Sequence, residues 1–267
     1  MRRRGRAGTL AMLALLALAA CAKPPPPKPV PRIAPLRAGI ALNTPPYAFE
    51  RGGDFVGVEV DFARALAQQL GRPVQLVEMG WADLIPALQA GRIDVIMSGM
   101  SVTRARAAAI GFTQPYLRSG LLPMVRREDL QARRQPGKGF RCGTGIGVSA
   151  GTTGERLVRE RCPTDAVIYP TIGDAIDELK QRRIDTVVAD APVVVWNVSQ
   201  DEANLAVLLE PLSTEDLAWG IRRDDDTLRA ALDGAIAQWR TDGTRARILS
   251  RWLAYWQQLE ARTGATR

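Results

Sequence analysis

The 267-residue chain contains no histidine and only three cysteines. Without imidazole there is no Ser-His-Asp triad, no Cys-His pair and no zinc site built on histidine. The chain also lacks a long hydrophobic run. Its most apolar stretch, Leu10 to Ala17, is too short to span a bilayer. Basic residues are in excess, with a formal charge of +8, yet no basic stripe of the kind that nucleic acid requires is present. Arginine alternates with Asp and Glu almost everywhere except Arg126 to Arg141, which reads as a solvated loop rather than a docking patch. At 46% hydrophobic and 24% charged the chain is too apolar for wholesale disorder, and its length allows one large domain or two moderate ones.

The N-terminus sets the expected compartment. Arg2, Arg3, Arg4 and Arg6 precede the apolar run, and small residues follow it, in the order of a secretory signal over residues 1–20. Its removal would lower the net charge to +4. The ending Leu18-Ala19-Ala20-Cys21 resembles the bacterial lipobox, which implies cleavage before Cys21 and lipidation of its thiol. Ala22 after it implies outer-membrane rather than inner-membrane retention. The proline-rich segment Lys23 to Pro31 reads as an extended spacer at about 3.1 Å per residue, within a linker over 21–35. Cys142 and Cys162 remain for an oxidising compartment. A helix returning antiparallel to its strand brings them together, as a disulfide or as two buried free thiols.

An internal repeat organises the rest. At an offset of 91, Asp83, Ile85, Leu88, Arg92, Ile93 and Asp94 align with Asp174, Ile176, Leu179, Arg183, Ile184 and Asp185. Each copy reads as an amphipathic helix followed by an apolar strand, Val95 to Met97 and Val187-Val188. Upstream of the first lie a strand at Gly39 to Leu42, a helix carrying Phe62, Ala63, Leu66, Ala67 and Leu70 that stops at Gly71, and a strand Val74 to Val77. Upstream of the second lie strand Ile146 to Ser149, helix Thr153 to Arg161 and strand Ala166 to Tyr169. Both units are β-α-β-α-β, which argues for mostly parallel sheets with ligands beyond the carboxyl ends of the strands. Those ends present Asn43 to Phe49, Ser98 to Arg106, Ser149 to Gly154, and Asp190. Thr152 and Glu155 fit a capping box at a helix start that favours an anion. An arginine fork adds carboxylate recognition, and Asp190 suits an ammonium group. The set suits a zwitterion. Gly145 to Ala150 matches a dinucleotide pattern, but its glycines precede or lie within the strand and Asp165 is misplaced. The glycines read as a turn leading into the strand.

Pro45-Pro46-Tyr47, Gly57 to Phe62, Ile85 to Leu88 running through Ile93 to Thr103 with Arg106, Phe112 to Tyr116, Ala150 to Glu155, and Asp242-Gly243-Thr244 with Trp252 together resemble the type 3 extracellular solute-binding proteins that deliver polar amino acids to ABC importers. The resemblance covers residues 36 to 257. It implies that Arg106, Gly99 and Ser101 hold a ligand carboxylate from one lobe, that Thr152 and Thr153 hold it from the other, and that Asp190 takes the ammonium. Trp81 falls at an apolar or aromatic wall, and Tyr47 or Phe49 substitutes for a missing stacking ring, although family members often bury the residue at Tyr47. Two departures concern the side-chain subsite: Ala41 and Thr44 occupy positions where the family commonly has an acidic residue and an aromatic one.

The expected architecture is α/β with a two-lobed, periplasmic-binding-protein-like fold of type II. Each lobe is a mostly parallel sheet flanked by helices: lobe 1 over 37–117 and 216–257, lobe 2 over 120–212, and a tail over 258–267. Crossings near Ser119-Gly120 and Leu212-Ser213 would act as hinges. The resemblance implies a periplasmic, monomeric binding protein that is not an enzyme, anchored to a membrane through Cys21. Its partners would be an amino acid and an inner-membrane ABC permease, with no cofactor, metal or nucleic acid. A non-transporting sensor, and a cyclohexadienyl dehydratase acting on prephenate or arogenate, are the competing readings on the same fold.

Overall fold

The computed structural model describes residues 33–135, 139–253 and 257–258. The expected signal peptide, Cys21, the proline-rich spacer and most of the 258–267 tail lie outside the described residues. Among the described residues no helix is long and apolar enough to cross a membrane.

The chain runs β1 (Leu36–Ile40), β2 (Phe49–Arg51), β3 (Asp54–Val56), α1 (Val58–Leu70), β4 (Val74–Glu78), α2 (Leu84–Gln89), β5 (Val95–Ile96), α3 (Arg104–Ala109), β6 (Gly111–Phe112), β7 (Leu117–Ser119), β8 (Leu121–Arg126), α4 (Leu130–Arg133), β9 (Ile146–Ser149), α5 (Thr153–Arg161), β10 (Ala166–Tyr169), α6 (Ile172–Lys180), β11 (Thr186–Asp190), α7 (Ala191–Gln200), β12 (Leu205–Val207), β13 (Glu215–Leu217), β14 (Gly220–Ile221), α8 (Asp226–Thr241) and α9 (Thr244–Trp252). Two five-stranded sheets form, in the orders β4-β1-β5-β14-β6 and β10-β9-β11-β8-β12. In each, the first three strands pair parallel and the last two are added antiparallel. The sheets are mostly parallel, as expected: in each, one strand, β14 or β8, runs against the other four and comes from a segment outside the repeat. Between the sheets β7 and β13 pair antiparallel, so the two chain crossings are hydrogen-bonded to one another.

The repeat has a physical basis visible in both sheets. A Cβ on Gly39 of β1 would lie 2.4 Å from Ile93 Cδ1, and one on Gly147 of β9 would lie 2.5 Å from Ile184 Cδ1. Each repeat isoleucine therefore packs onto a bare strand backbone. Gly147 accordingly serves packing rather than the turn expected of it, whereas Gly143, at φ +89°, is a turn residue. The following aspartates are clamped alike. Arg222, just past β14, donates to Ile93 O at 3.0 Å and reaches Asp94 at 3.5 Å. Arg126, ending β8, donates to Ile184 O at 2.6 Å and to Asp185 at 2.7 Å. Arg37 adds a bidentate contact to Asp94. Burial opposes ionisation there, but Arg37 and Arg222 hold Asp94 below the usual carboxylate range.

Local signals place the helices. Gly71 ends α1 in the left-handed conformation, at φ 57°, and Thr171 with Asp174 forms a complete capping box on α6. Strand β1 ends two residues earlier than expected, because Ala41 N donates to Ser98 Oγ and Asn43 takes a positive φ of 62°, turning the chain towards the cleft. The Arg126 to Arg141 stretch is not simply a solvated loop. Arg126 is committed to Asp185, Arg127 donates to Glu202 O, and Arg133 is buried and donates to Gly139 O.

Cys142 and Cys162 form a disulfide with a Cα–Cα distance of 5.3 Å. It ties the segment before β9 to the end of α5. Replacing both cysteines with serine is expected to lower unfolding stability by about 3 kcal/mol, the chain-entropy value for a loop of roughly this size. A urea titration of the two proteins measures it, and an unchanged midpoint contradicts it.

Candidate functional site

The carboxyl ends of the parallel strands face one another across a cleft of about 490 Å³. The end of β1 leads to Tyr47, β4 to Trp81, β5 to Gly99 and Ser101, β9 to Thr152 and Thr153, and β11 supplies Asp190. These residues and Arg106 all line the cleft. All eight residues expected at a ligand site are therefore brought together, although their individual engagements differ from a simple ligand list.

Arg106 lies in the first turn of α3, whose N-cap Thr103 accepts a bond from Arg106 N. Its guanidinium donates to Ser101 O at 2.9 Å and, across the cleft, to Gly151 O at 3.1 Å. The Arg106 Cζ stands 5.1 Å from the Trp81 ring centroid. The remaining N–H groups of a guanidinium, which carries five, stay available for a bidentate anion. Burial draws the arginine below its usual pKa, opposed by the nearby carboxylates of Asp190 and Glu215. Arg104, on the same helix, is exposed. Trp81 opens a 3-10 turn rather than a helix. Its Nε1 donates to the same Gly151 carbonyl at 3.1 Å, so it is a strut across the cleft as well as a wall.

Thr152 caps α5, accepting from Glu155 N at 3.3 Å and donating to Ser149 O at 2.7 Å. The reciprocal arm of the expected capping box lands one residue earlier: Glu155 accepts from Gly151 N at 2.7 Å, while its other oxygen is held by Arg159. These bonds hold Glu155 below the usual carboxylate range against the effect of burial. With Glu155 N capped, the free N–H groups of Thr153 and Gly154 remain at the helix start, where the dipole favours negative charge.

Gly99 lies at φ +64°, and a Cβ there would come within 2.7 Å of the Tyr47 ring. Its N–H donates to the buried Glu59 at 2.7 Å and so is already engaged. Tyr47 is 1% exposed and its hydroxyl has no partner among the described residues. Burial, then the charges of Asp190, Glu59 and Glu215, raise that phenol well above its usual pKa. A buried hydroxyl without a partner is costly, which marks Tyr47 as a donor waiting on the cleft.

Asp190 occupies the N-cap position of α7 but makes no side-chain cap bond. Its carboxyl faces the cleft, and burial together with the neighbouring Glu215, partly offset by Arg106, raises its pKa from 3.8 to about 7. Two residues were missed from the sequence. Glu215, on the crossing strand β13, accepts from Ser101 Oγ at 2.5 Å, Thr153 Oγ1 at 2.9 Å and Ser213 Oγ at 3.0 Å. It thus draws hydroxyls from both sides of the cleft onto one carboxylate. Glu59 takes three donors beneath the cleft floor. Glu215 lies in no repeat identity and no motif, and Glu59, although inside the Gly57 to Phe62 motif, drew no role from it because its donors are distant in sequence.

The family model for bacterial extracellular solute-binding proteins, family 3, matches residues 36–255. The L-cystine-binding protein TcyJ of Escherichia coli K12 is 26% identical over 228 residues, covering 81% of this chain and 82% of that protein. The histidine-binding periplasmic protein of the same strain is 30% identical, covering 82% and 88%. Among solved structures, the ancestral amino acid-binding protein AncCDT-1, described as a precursor of cyclohexadienyl dehydratase, superposes with a TM-score of 0.74 at 28% identity, covering 81% and 94%.

The raised pKa of Asp190 makes its protonated form part of the unliganded fold. That contribution is complete below about pH 4 and is lost as pH rises through about 7. Asp190→Asn should therefore flatten the decline in stability between pH 4 and 7 and leave the variant about 1–2 kcal/mol more stable than the parent at pH 8, allowing for partial solvent access. Parallel urea curves at pH 4, 6 and 8 test this, and identical pH profiles would refute it.

Proposed function

The chain belongs to the bacterial extracellular solute-binding proteins, family 3, and from that premise we propose that it binds an amino acid between its lobes and presents it to an ABC permease. The convergence of Arg106, the free N–H groups at the start of α5 and Asp190 on one cleft carries this reading. A carboxylate takes the guanidinium and the helix start, while an ammonium takes Asp190. The Ser101 and Thr153 hydroxyls are spent on Glu215, so the guanidinium and backbone N–H groups are the principal anion donors. Lobe 1 comprises 37–117 and 216–257, lobe 2 comprises 120–212, and the β7–β13 crossing is the hinge. A ligand bridging Arg106 and α5 favours the closed state because only that state offers both partners.

Export and lipidation of Cys21, with the proline-rich segment as spacer, place the protein on a membrane facing the periplasm. A clickable fatty acid supplied to expressing cells should label the parent and fail to label Cys21→Ser. Equal labelling of the two proteins would remove the anchor.

A second reading has one observation in its favour. A carboxyl with a pKa of about 7 is a competent general acid near neutrality, as a prephenate or arogenate dehydratase requires. The binding reading is preferred because the cleft is complementary to a zwitterion and the curated relatives named above are binding proteins.

The test is a thermal-shift and calorimetry series with the twenty amino acids and prephenate. An amino acid should raise the midpoint by mass action, Arg106→Ala should weaken it at least tenfold, and affinity should fall about tenfold per unit below pH 7 as Asp190 must first lose a proton. Silence with every amino acid alongside turnover of prephenate would transfer the function to the enzyme.

A further inference from the structure

Glu78 is the one cleft-lining carboxylate that the zwitterion does not use. It ends β4 and stands in register with Ile40, the last residue of β1. Ala41, which follows that strand, is small and lines the cleft together with Glu78. Glu78 is exposed, and among the described residues its carboxylate has neither a hydrogen-bond nor an ion-pair partner. Every other acidic group near the cleft floor is committed or assigned: Glu59 to three donors, Glu215 to three hydroxyls, Asp190 to the ammonium. The charged groups lining the cleft are Glu78, Asp190 and Arg106, two acids against one base. Once the ligand carboxylate has taken Arg106 and its ammonium Asp190, Glu78 is the lining charge left without a counterpart, and an amino acid with a cationic side chain supplies one. Met79 and, beyond Gly80, Trp81 also line the cleft and offer apolar surface to the methylene stem of such a side chain. Across the cleft, Pro170, Thr171 and Ile172 add no charge that would compete.

We propose that Glu78 is the specificity-determining residue of the cleft and that the ligand is a cationic amino acid of the arginine, lysine or ornithine class. The inference rests on the amino-acid reading given above. It is tested by calorimetry on the full chain with L-arginine, L-lysine, L-ornithine, and two uncharged comparators, L-citrulline and L-glutamine. The parent should bind at least one cationic ligand at least tenfold more tightly than either comparator. Glu78→Gln should lose that preference, hold its citrulline affinity within about twofold, and keep its ligand-free thermal midpoint, since the side chain it alters has no partner. Equal affinity of the parent for cationic ligands and comparators, or a full cationic preference retained in Glu78→Gln, overturns the role of Glu78 while leaving amino-acid binding intact. Failure of the parent to bind any amino acid overturns the preceding reading, and this one with it.

Discussion

The Glu59 carboxylate, fully buried in the first turn of α1, accepts from Gly99 N at 2.7 Å, Tyr116 Oη at 2.6 Å and Trp219 Nε1 at 3.0 Å. These donors come from the cleft floor after β5, the approach to β7, and the link between β13 and β14. One carboxylate therefore fixes the floor of the site against both chain crossings. Burial pushes its pKa up, and its three donors pull the other way. An acid in this position is costly unless all its lone pairs are occupied, so the floor, the Tyr116 ring and Trp219 must be placed together or not at all. Around it Phe62 packs on Tyr116, Trp219 and Trp239 with centroids 5.3 to 5.7 Å apart, which excludes water from the bonds.

On this base the molecule is built twice. The isoleucine-aspartate pair of each repeat performs the same task in each sheet: the isoleucine covers a strand glycine, and the aspartate meets an arginine brought by an antiparallel strand. The two arginines, 222 and 126, are not themselves part of the repeat. They arrive from different directions along the chain, which is why the sequence displays the helix and parallel strand of each unit and conceals the strand that completes it. Neither β14, two residues long, nor β6 has the length or alternation to be read in isolation.

The cleft sits where the two copies face each other, and its electrostatics follow from that opposition. Trp81 and Arg106 from one side share the Gly151 carbonyl on the other, while Glu215 draws Ser101 and Thr153 towards a common carboxylate. Two carboxyls, Asp190 and Glu215, and one guanidinium are then held in a partly dry space, where charges couple strongly. Burial first, and then the neighbouring Glu215, partly offset by Arg106, raises Asp190 to about 7.

The amino-acid sequence by itself determined the two β-α-β-α-β units, the bounds of β9, α5 and β10, the pairing of Cys142 with Cys162 as one of two alternatives, and the residues gathered at the strand ends. Those features are local: periodicity, caps and stops act within a turn or two of chain. The tertiary structure decided the strand that runs against the other four in each sheet, the ion pairing of Arg126 and the burial of Arg133, the diversion of Glu155 to Gly151, and the commitments of Glu59 and Glu215. Each of these depends on which groups lie within about 3 Å after distant segments have packed, and hydrogen bonding at that range leaves no periodic trace in the chain.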